Sequence, residues 1–352
     1  VKPSLILLPL SYVYGAGVAF RNLLFDLGIL RSHHLSVPVI SVGNISVGGT
    51  GKTPVVELIA KRLMQYGLRV AVVSRGYRRK TSGLIVVSEG KGVQVDAETG
   101  GDEPVMLADR LPGVIVIADE KRVRGASFAV EQLRAQAIVL DDGFQHRYLG
   151  RDLDIVVIPV DEVLTRSHLL PAGNRREPYT ALQRADMVIA SKSDGDKTTR
   201  RALDILSAMN VRQTASVNLR PVAWKIAGLD LRVPLEESSG RKVIGFTGIG
   251  DPAGFRRTLQ NLNVTIHRMV TYPDHHWFVP KDLRHLASIR QETNADYLVT
   301  TEKDLKRLES QPDVWNAFIE ANPVHVLEVE ASVQEGATVL EDLLDTLFHE
   351  PM

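Results

Sequence analysis

The run Ser46-Val-Gly-Gly-Thr-Gly-Lys-Thr53 has the residue types and spacing of a phosphate cradle. In such a loop glycines let backbone N–H groups curl around an anion, a lysine reaches the terminal phosphates, and the next hydroxyl ligates Mg²⁺. Those parts are Gly48, Gly49, Thr50, Gly51, Lys52 and Thr53, with Pro54 as a favoured first residue of the helix that must follow. The pattern ordinarily opens with glycine, and Ser46 stands there instead; the glycines that approach the phosphates remain. A second segment, Leu140-Asp-Asp-Gly-Phe-Gln-His146, follows an apolar run. Acids at the carboxyl end of such a strand hold Mg²⁺ or its waters, which makes Asp141 and Asp142 candidate metal-side carboxylates. Alone, Asp-Asp-Gly is also an ordinary turn; the phosphate loop upstream favours the functional reading.

Three further constellations fall in expected loops. Gly100-Gly-Asp-Glu-Pro104 places two carboxylates ahead of a helix. The plain account is a helix cap; the functional one makes Asp102 a general base for a hydroxyl, with Glu103 near the metal. Tyr272-Pro-Asp-His-His-Trp277 offers an Asp–His pair, Asp274 with a neighbouring histidine, to tune a base across a cleft. Adjacent histidines project differently and no third ligand is near, so a metal site is the weaker account. Ser74-Arg-Gly-Tyr-Arg-Arg-Lys80 carries four cations and reads either as a solvated loop or as a second anion site led by Arg75, joined by Lys121-Arg-Val-Arg124.

These residues need a scaffold that delivers loops to one edge. Apolar runs at Val37–Val42, Arg69–Ser74, Val114–Ala118, Ala137–Leu140, Leu153–Ile158 and Met187–Ala190 alternate with helical patterns at 54–66, 103–111, 120–133 and 198–209. That alternation predicts an α/β fold with a parallel sheet of the P-loop NTPase type, and runs such as AIVL and IVVI suit strands covered on both faces. Beyond residue 215 come short strands near Val217–Lys225 and Leu229–Val233, then a second α/β series from Val243 to Thr300. The expected organisation is a larger domain over 1–215, a β linker over 216–240 and a smaller α/β domain over 241–325 that contributes to the cleft. A strand near 324–330 and a closing helix over 333–348 complete the reading, the helix expected to dock on the first domain.

Composition narrows the class. The chain has 352 residues, 44% of them apolar and no cysteine, which excludes disulfides, thiolate metal sites and cysteine nucleophiles. Net charge is zero, which gives no reason to expect nucleic acid. Residues 1–80 nonetheless hold eleven Lys/Arg against Asp26 and Glu57, an excess that suits phosphates or a lipid surface. From Pro3 to Phe20 no residue is charged. An interfacial helix and a buried helix are the favoured readings of that segment, ahead of a true span or an uncleaved signal peptide.

Taken together, VGNISVGGTGKTP (42–54), SRGYRR (74–79), GGDEP (100–104), LDDGFQH (140–146), REP (176–178), PDHH (273–276) and TEKD (301–304) resemble the tetraacyldisaccharide 4′-kinase family of lipid A biosynthesis. The resemblance implies a peripheral kinase on the cytoplasmic face of the bacterial inner membrane. Such an enzyme uses ATP and Mg²⁺ to phosphorylate the 4′-hydroxyl of a tetraacylated disaccharide 1-phosphate, giving lipid IVA, with no obligate protein partner. It further implies Asp102 as base, assisted by His275 with Asp274. Asp141, Asp142 and Glu103 are the implied metal-side acids, and Glu177 is implied near the nucleotide. Arg75, Tyr77, Arg122 and His146 are the implied substrate contacts. TEKD carries no role in this reading. Two rivals have weaker support. A GTP switch would need an [NT]-K-x-D reader where the chain has Ser191-Lys-Ser-Asp194, and a deviant Walker ATPase would need a lysine at Val47.

Overall fold

The computed structural model describes residues 5–165, 167–229 and 231–349. Pro3 and Ser4 of the uncharged run, and Asp230 within the strand expected at Leu229–Val233, lie outside the described residues. The first half of the chain contains α1 (Leu8–Asp26), β1 (Val39–Gly43), α2 (Lys52–Gln65), β2 (Val70–Ser74), β3 (Ile85–Glu89), α3 (Ala97–Gly100), α4 (Asp102–Arg110), β4 (Ile115–Ala118), α5 (Arg122–Glu131), β5 (Ala137–Asp141), β6 (Leu153–Pro159), α6 (Val160–Thr165), β7 (Met187–Ser191) and α7 (Lys197–Ala208). The second half contains β8 (Thr214–Ile226), β9 (Leu231–Val233), β10 (Lys242–Thr247), α8 (Pro252–Asn261), β11 (Thr265–Thr271), α9 (Pro280–Thr293), β12 (Tyr297–Thr301), α10 (Glu302–Glu309), α11 (Pro312–Ala321), β13 (Val324–Glu335) and α12 (Ala337–His349).

The described strands form one sheet in the order β11-β10-β12-β13-β8-β7-β6-β1-β5-β2-β4-β3, with β9 paired to β8. From β7 to β4 the pairing is parallel, and every residue of β1, β2, β4 and β5 is buried, as expected of strands with helices on both faces. The expected parallel α/β architecture is thus present. β3 escaped the sequence pattern because it is a short antiparallel edge strand against β4 with only two buried residues.

The segment expected as a linker is instead part of the sheet. β8 has 13 residues and pairs antiparallel with most of β13. One end of this ribbon pairs in parallel with β7 and the other with β12, so the two half-sheets are continuous. α12 begins at Ala337, after a β13 that runs on to Glu335. It places Leu340 and Leu344 in the apolar cluster beneath α2, while Arg62 of α2 and Tyr66 just after it bond Glu341 and Asp345 at 2.8 and 2.7 Å.

α1 docks by its small and polar side. Ser11 Oγ donates to the Leu169 carbonyl at 3.0 Å and accepts from Ala172 N–H at 3.0 Å; Tyr14 Oη donates to the Arg176 carbonyl at 3.0 Å. Ser11 and Phe25 are the buried residues of this helix. Ile6 just before it, and Tyr12, Val13 and Phe20 along it, are 90, 76, 71 and 63% exposed, so the buried-helix reading is corrected. Among the described residues no helix is long and apolar enough to cross a membrane, and the spanning reading finds no support.

Candidate active site

The phosphate loop lies where β1 hands over to α2. Gly51 caps the helix with φ +86°, a backbone state that glycine adopts without a Cβ penalty. The helix starts at Lys52, two residues earlier than the proline suggested. At such a start the first N–H groups have no intrahelical partner and favour an anion. Side chains brace the loop from behind. Asn44 Nδ2 donates to Thr50 Oγ1 at 3.1 Å, and Ser191 Oγ donates to the Thr50 carbonyl at 2.6 Å. Ser46, the departure from the pattern, donates its hydroxyl to Glu162 at 2.7 Å and so ties the loop to α6. Within Ser191-Lys-Ser-Asp194, Ser191 therefore serves the loop, and Lys192 pairs with Asp251 of the second half-sheet.

Asp141 ends β5 and Asp142 takes the turn after it with φ +56°. Lys52 Nζ is 3.5 Å from Asp142 Oδ1, and Arg176 donates to Asp142 Oδ2 at 2.8 Å. Burial raises the Asp142 carboxyl, but Lys52, Arg176 and Arg122 outweigh it and bring it down to about 2. Among the described residues Asp141 has only the Ser74 hydroxyl, at 2.9 Å; burial and the charges of Glu103 and Asp142 push it up to about 6 despite Lys52. Thr53 is buried in the first turn of α2.

Asp102 opens α4 and is 4% exposed. Gly101 before it has φ +94°, and a Cβ there would stand 3.0 Å from Gly76 Cα, so the chain reaches Asp102 only through glycine. His275, at φ +58° in the loop after β11, places Nδ1 3.0 Å from Asp102 Oδ2. Arg307 Nε lies 3.7 Å from the same oxygen. Burial disfavours both charged forms, yet the mutual hydrogen bond and charges win, so Asp102 lies below its ordinary value and His275 above. Asp274, expected as the partner of the histidine, is 3.9 Å from His275 Nε2; the close partner is Asp102. His276 stacks on Tyr272 and bonds Asp282 at 2.8 Å, a role in holding its own loop.

The remaining candidates divide. Tyr77 meets the His275 ring edge-on at 5.2 Å. Arg122 is buried, its Nε has no hydrogen-bond partner, and burial with the Arg75 charge lowers its pKa against the pull of Asp142 and Asp141. His146 Nε2 is likewise buried and unpartnered, and burial with Arg122, Arg151 and Arg75 brings this imidazole down to about 4. Arg75 is exposed beside them, whereas Arg79 of the same loop is spent on the Ala118 carbonyl and Glu120. The Glu177 backbone N–H reaches the Ile45 carbonyl just ahead of the phosphate loop. Its carboxylate, however, is taken by Arg184 at 2.7 and 2.9 Å, by Asn22 at 3.1 Å and by Arg21, so its visible work is to anchor α1.

Sequence reasoning left TEKD without a task, and the structure supplies one. Asp304 is buried and accepts from Thr247 Oγ1 at 2.6 Å, Gly248 N–H at 2.9 Å and Arg307 at 2.6 Å. Gly248 O in turn accepts the His275 N–H at 2.9 Å, so Asp304 fixes the loop that presents the histidine. Lys303 bonds Glu103. Acid–base residues at the exit of the apolar run Tyr297–Thr301 were the available signal.

Among the described residues no three carboxylate or imidazole groups form a ready metal cage. Mg²⁺ ordinarily keeps several waters and takes one or two carboxylates plus phosphates, so a sparse protein donor set suits it. Asp141 Oδ1 and Asp142 Oδ1 are buried without hydrogen-bond partners, which fits oxygens kept for such an ion.

A P-loop braced behind its glycines, twin acids at the next strand end and a buried Asp–His pair across the cleft define a phosphoryl-transfer enzyme of the P-loop class. The chain matches the family described as tetraacyldisaccharide-1-P 4′-kinase over residues 3–348, and it belongs to that family. It is 41% identical over 334 residues to the tetraacyldisaccharide 4′-kinase of Anaeromyxobacter sp. strain K, covering 94% of this chain and 87% of that one. The Aquifex aeolicus tetraacyldisaccharide 4′-kinase is 38% identical, covering 88% of this chain and 91% of its own. The crystal structure of Aquifex aeolicus LpxK in complex with ATP superposes with a TM-score of 0.78 at 34% identity, covering 97% of this chain and 98% of that one.

Proposed function

We propose that this protein transfers the γ-phosphoryl group of ATP to the 4′-hydroxyl of a tetraacyldisaccharide 1-phosphate, the step that yields lipid IVA. The observation that carries the reading is the buried Asp102–His275 contact, one residue from Glu103, whose charge acts on Asp141, the neighbour of the Asp142 that faces Lys52. A base for an alcohol and a cradle for phosphates thus share one cleft, formed by two half-sheets that we read as the larger and smaller domains.

Lys52 and the open N–H groups at the start of α2 bind the nucleotide's phosphates, and Thr53, Asp141, Asp142 and Glu103 are the oxygens that would hold Mg²⁺. When bound, the ion supplies neutralisation of charge on the transferring group. Asp102 Oδ2 is engaged by His275, while among the described residues Oδ1 carries only the Glu103 N–H at 2.9 Å. Oδ1 therefore has the free lone pair that takes the hydroxyl proton as the new P–O bond forms. His275 orients the carboxylate, and Arg75, Arg122 and His146 offer unspent polar groups to the acceptor's anionic and hydroxyl portions, with Tyr77 at the rim.

We assign α1 to the surface of the membrane from which such an acceptor is drawn, on the cytoplasmic side. Its outward apolar residues support that placement, because a patch of this kind is uncommon on a surface meant for water. The test is incubation of the full chain with radiolabelled ATP, Mg²⁺ and the disaccharide 1-phosphate lipid, followed by mass analysis. A product heavier by one phosphoryl group at the 4′ position is expected; label transfer to water alone, with the lipid unchanged, refutes the reading.

A further inference from the structure

We propose that Lys303 is the resident cation of the acidic cleft: it occupies the Glu103 carboxylate while the cleft is free of metal, competes with a divalent cation for it, and so sets the metal affinity. The inference rests on the reading of Glu103 as a metal-side carboxylate.

Charges in the cleft come largely in pairs. Four carboxylates converge here, and three of them have a cation in contact: Asp102 faces His275 and Arg307, Asp142 faces Lys52 and Arg176, and Glu103 faces Lys303. Among the described residues Asp141 has the Ser74 hydroxyl as its close partner, at 2.9 Å, and no cation in contact. Among the described residues Lys303 is the one cation in contact with Glu103.

Position and residue type add to this. Lys303 sits in the first turn of α10, whose backbone is pinned by the Thr301 and Asp304 cap and by Arg307. The main chain is thus fixed while a four-carbon stem carries a single point charge, which can withdraw from one oxygen without dismantling a bidentate fork. In the empty cleft this charge relieves repulsion between Glu103 and Asp141. When a divalent cation arrives, both positive charges want the same carboxylate, and the cost of displacing Lys303 is subtracted from metal binding.

The test uses the full, nucleotide-free protein and Mn²⁺ as the probe, with free Mn²⁺ measured by electron paramagnetic resonance. Lys303→Gln and Lys303→Met are expected to bind Mn²⁺ about tenfold more tightly than wild type, a difference of about 1.4 kcal/mol. Lys303→Arg, which keeps the charge, is expected to stay close to wild type, and adding Glu103→Gln to Lys303→Gln is expected to erase the gain. If both neutral variants bind Mn²⁺ no more tightly than wild type, or not at all, or if the gain survives Glu103→Gln, the proposal is overturned. If Glu103→Gln alone leaves Mn²⁺ binding and turnover at wild-type levels, the failure lies instead with the metal-side reading of Glu103.

Discussion

Two aspartates of this cleft are shifted in opposite directions, and the difference lies in what faces them. Asp102 is buried but meets an imidazole and a guanidinium, and it stays ionised. Its replacement by asparagine keeps the shape and removes the proton acceptor. Turnover of Asp102→Asn is expected to fall about 10²–10⁴-fold with ATP affinity unchanged, as steady-state kinetics and nucleotide titration will show. Asp141 is buried with no cation in contact among the described residues and is pushed up to about 6 from the ordinary 3.8. The folded chain therefore holds this proton more tightly than the unfolded chain, so stability falls as pH rises between 3.8 and about 6. Asp141→Asn is expected to be more stable than wild type at pH 7.5, by on the order of 1–3 kcal/mol, while losing activity. Thermal melts should show the gain shrinking at pH 5; an equal gain at both values contradicts the argument.

At the scale of elements, α1 inverts the ordinary rule of amphipathic helices. Its serine, tyrosine hydroxyl and asparagine hold it to the segment around 169–177, and its apolar side chains look outward. Replacing Val13 and Phe20 together by Asp is expected to weaken binding to anionic vesicles roughly tenfold or more, since each buried apolar side chain contributes about 1.5–3 kcal/mol. Co-sedimentation measures this, and unchanged partitioning removes α1 as the contact. Helix identity in this segment was legible from its uncharged run, but the direction of its apolar face was not, because that depends on which polar atoms find partners 155 to 162 residues away. The TEKD turn teaches the same lesson: Asp304 acts through Gly248 and Lys303 through Glu103, neither of them a sequence neighbour.

For the whole molecule, the joining ribbon of β8 and β13 and the closing helix α12 matter most. Leu344 of α12 is fully buried in the same apolar cluster as Val55, Ile59 and Leu63 of α2, the helix that carries Lys52 at its start. Leu344→Ala is expected to cost about 2–5 kcal/mol of unfolding free energy in urea titrations. A loss below about 0.5 kcal/mol, the range of ordinary surface changes, means that α12 is dispensable to the core. At the opposite seam Arg110 of α4 reaches Glu57 of α2 at 3.0 Å and Glu302 of α10 at 2.9 Å, so the three helices that begin with Lys52, Asp102 and Glu302 are bound together below the cleft.

Local chemistry was readable in one dimension. Glycines that must turn, a lysine and hydroxyl after them, acids at a strand's end and apolar runs of strand length impose conformation over a few residues, and the parallel α/β fold and its phosphate loop follow from them. What needed three dimensions were the pairings: His275 with Asp102 rather than Asp274, Glu177 with the helix α1, Lys303 with Glu103, and a presumed linker drawn into the sheet. A charge buried in a cleft takes the partner that packing brings within a few ångströms, and proximity along the chain does not determine which one that is.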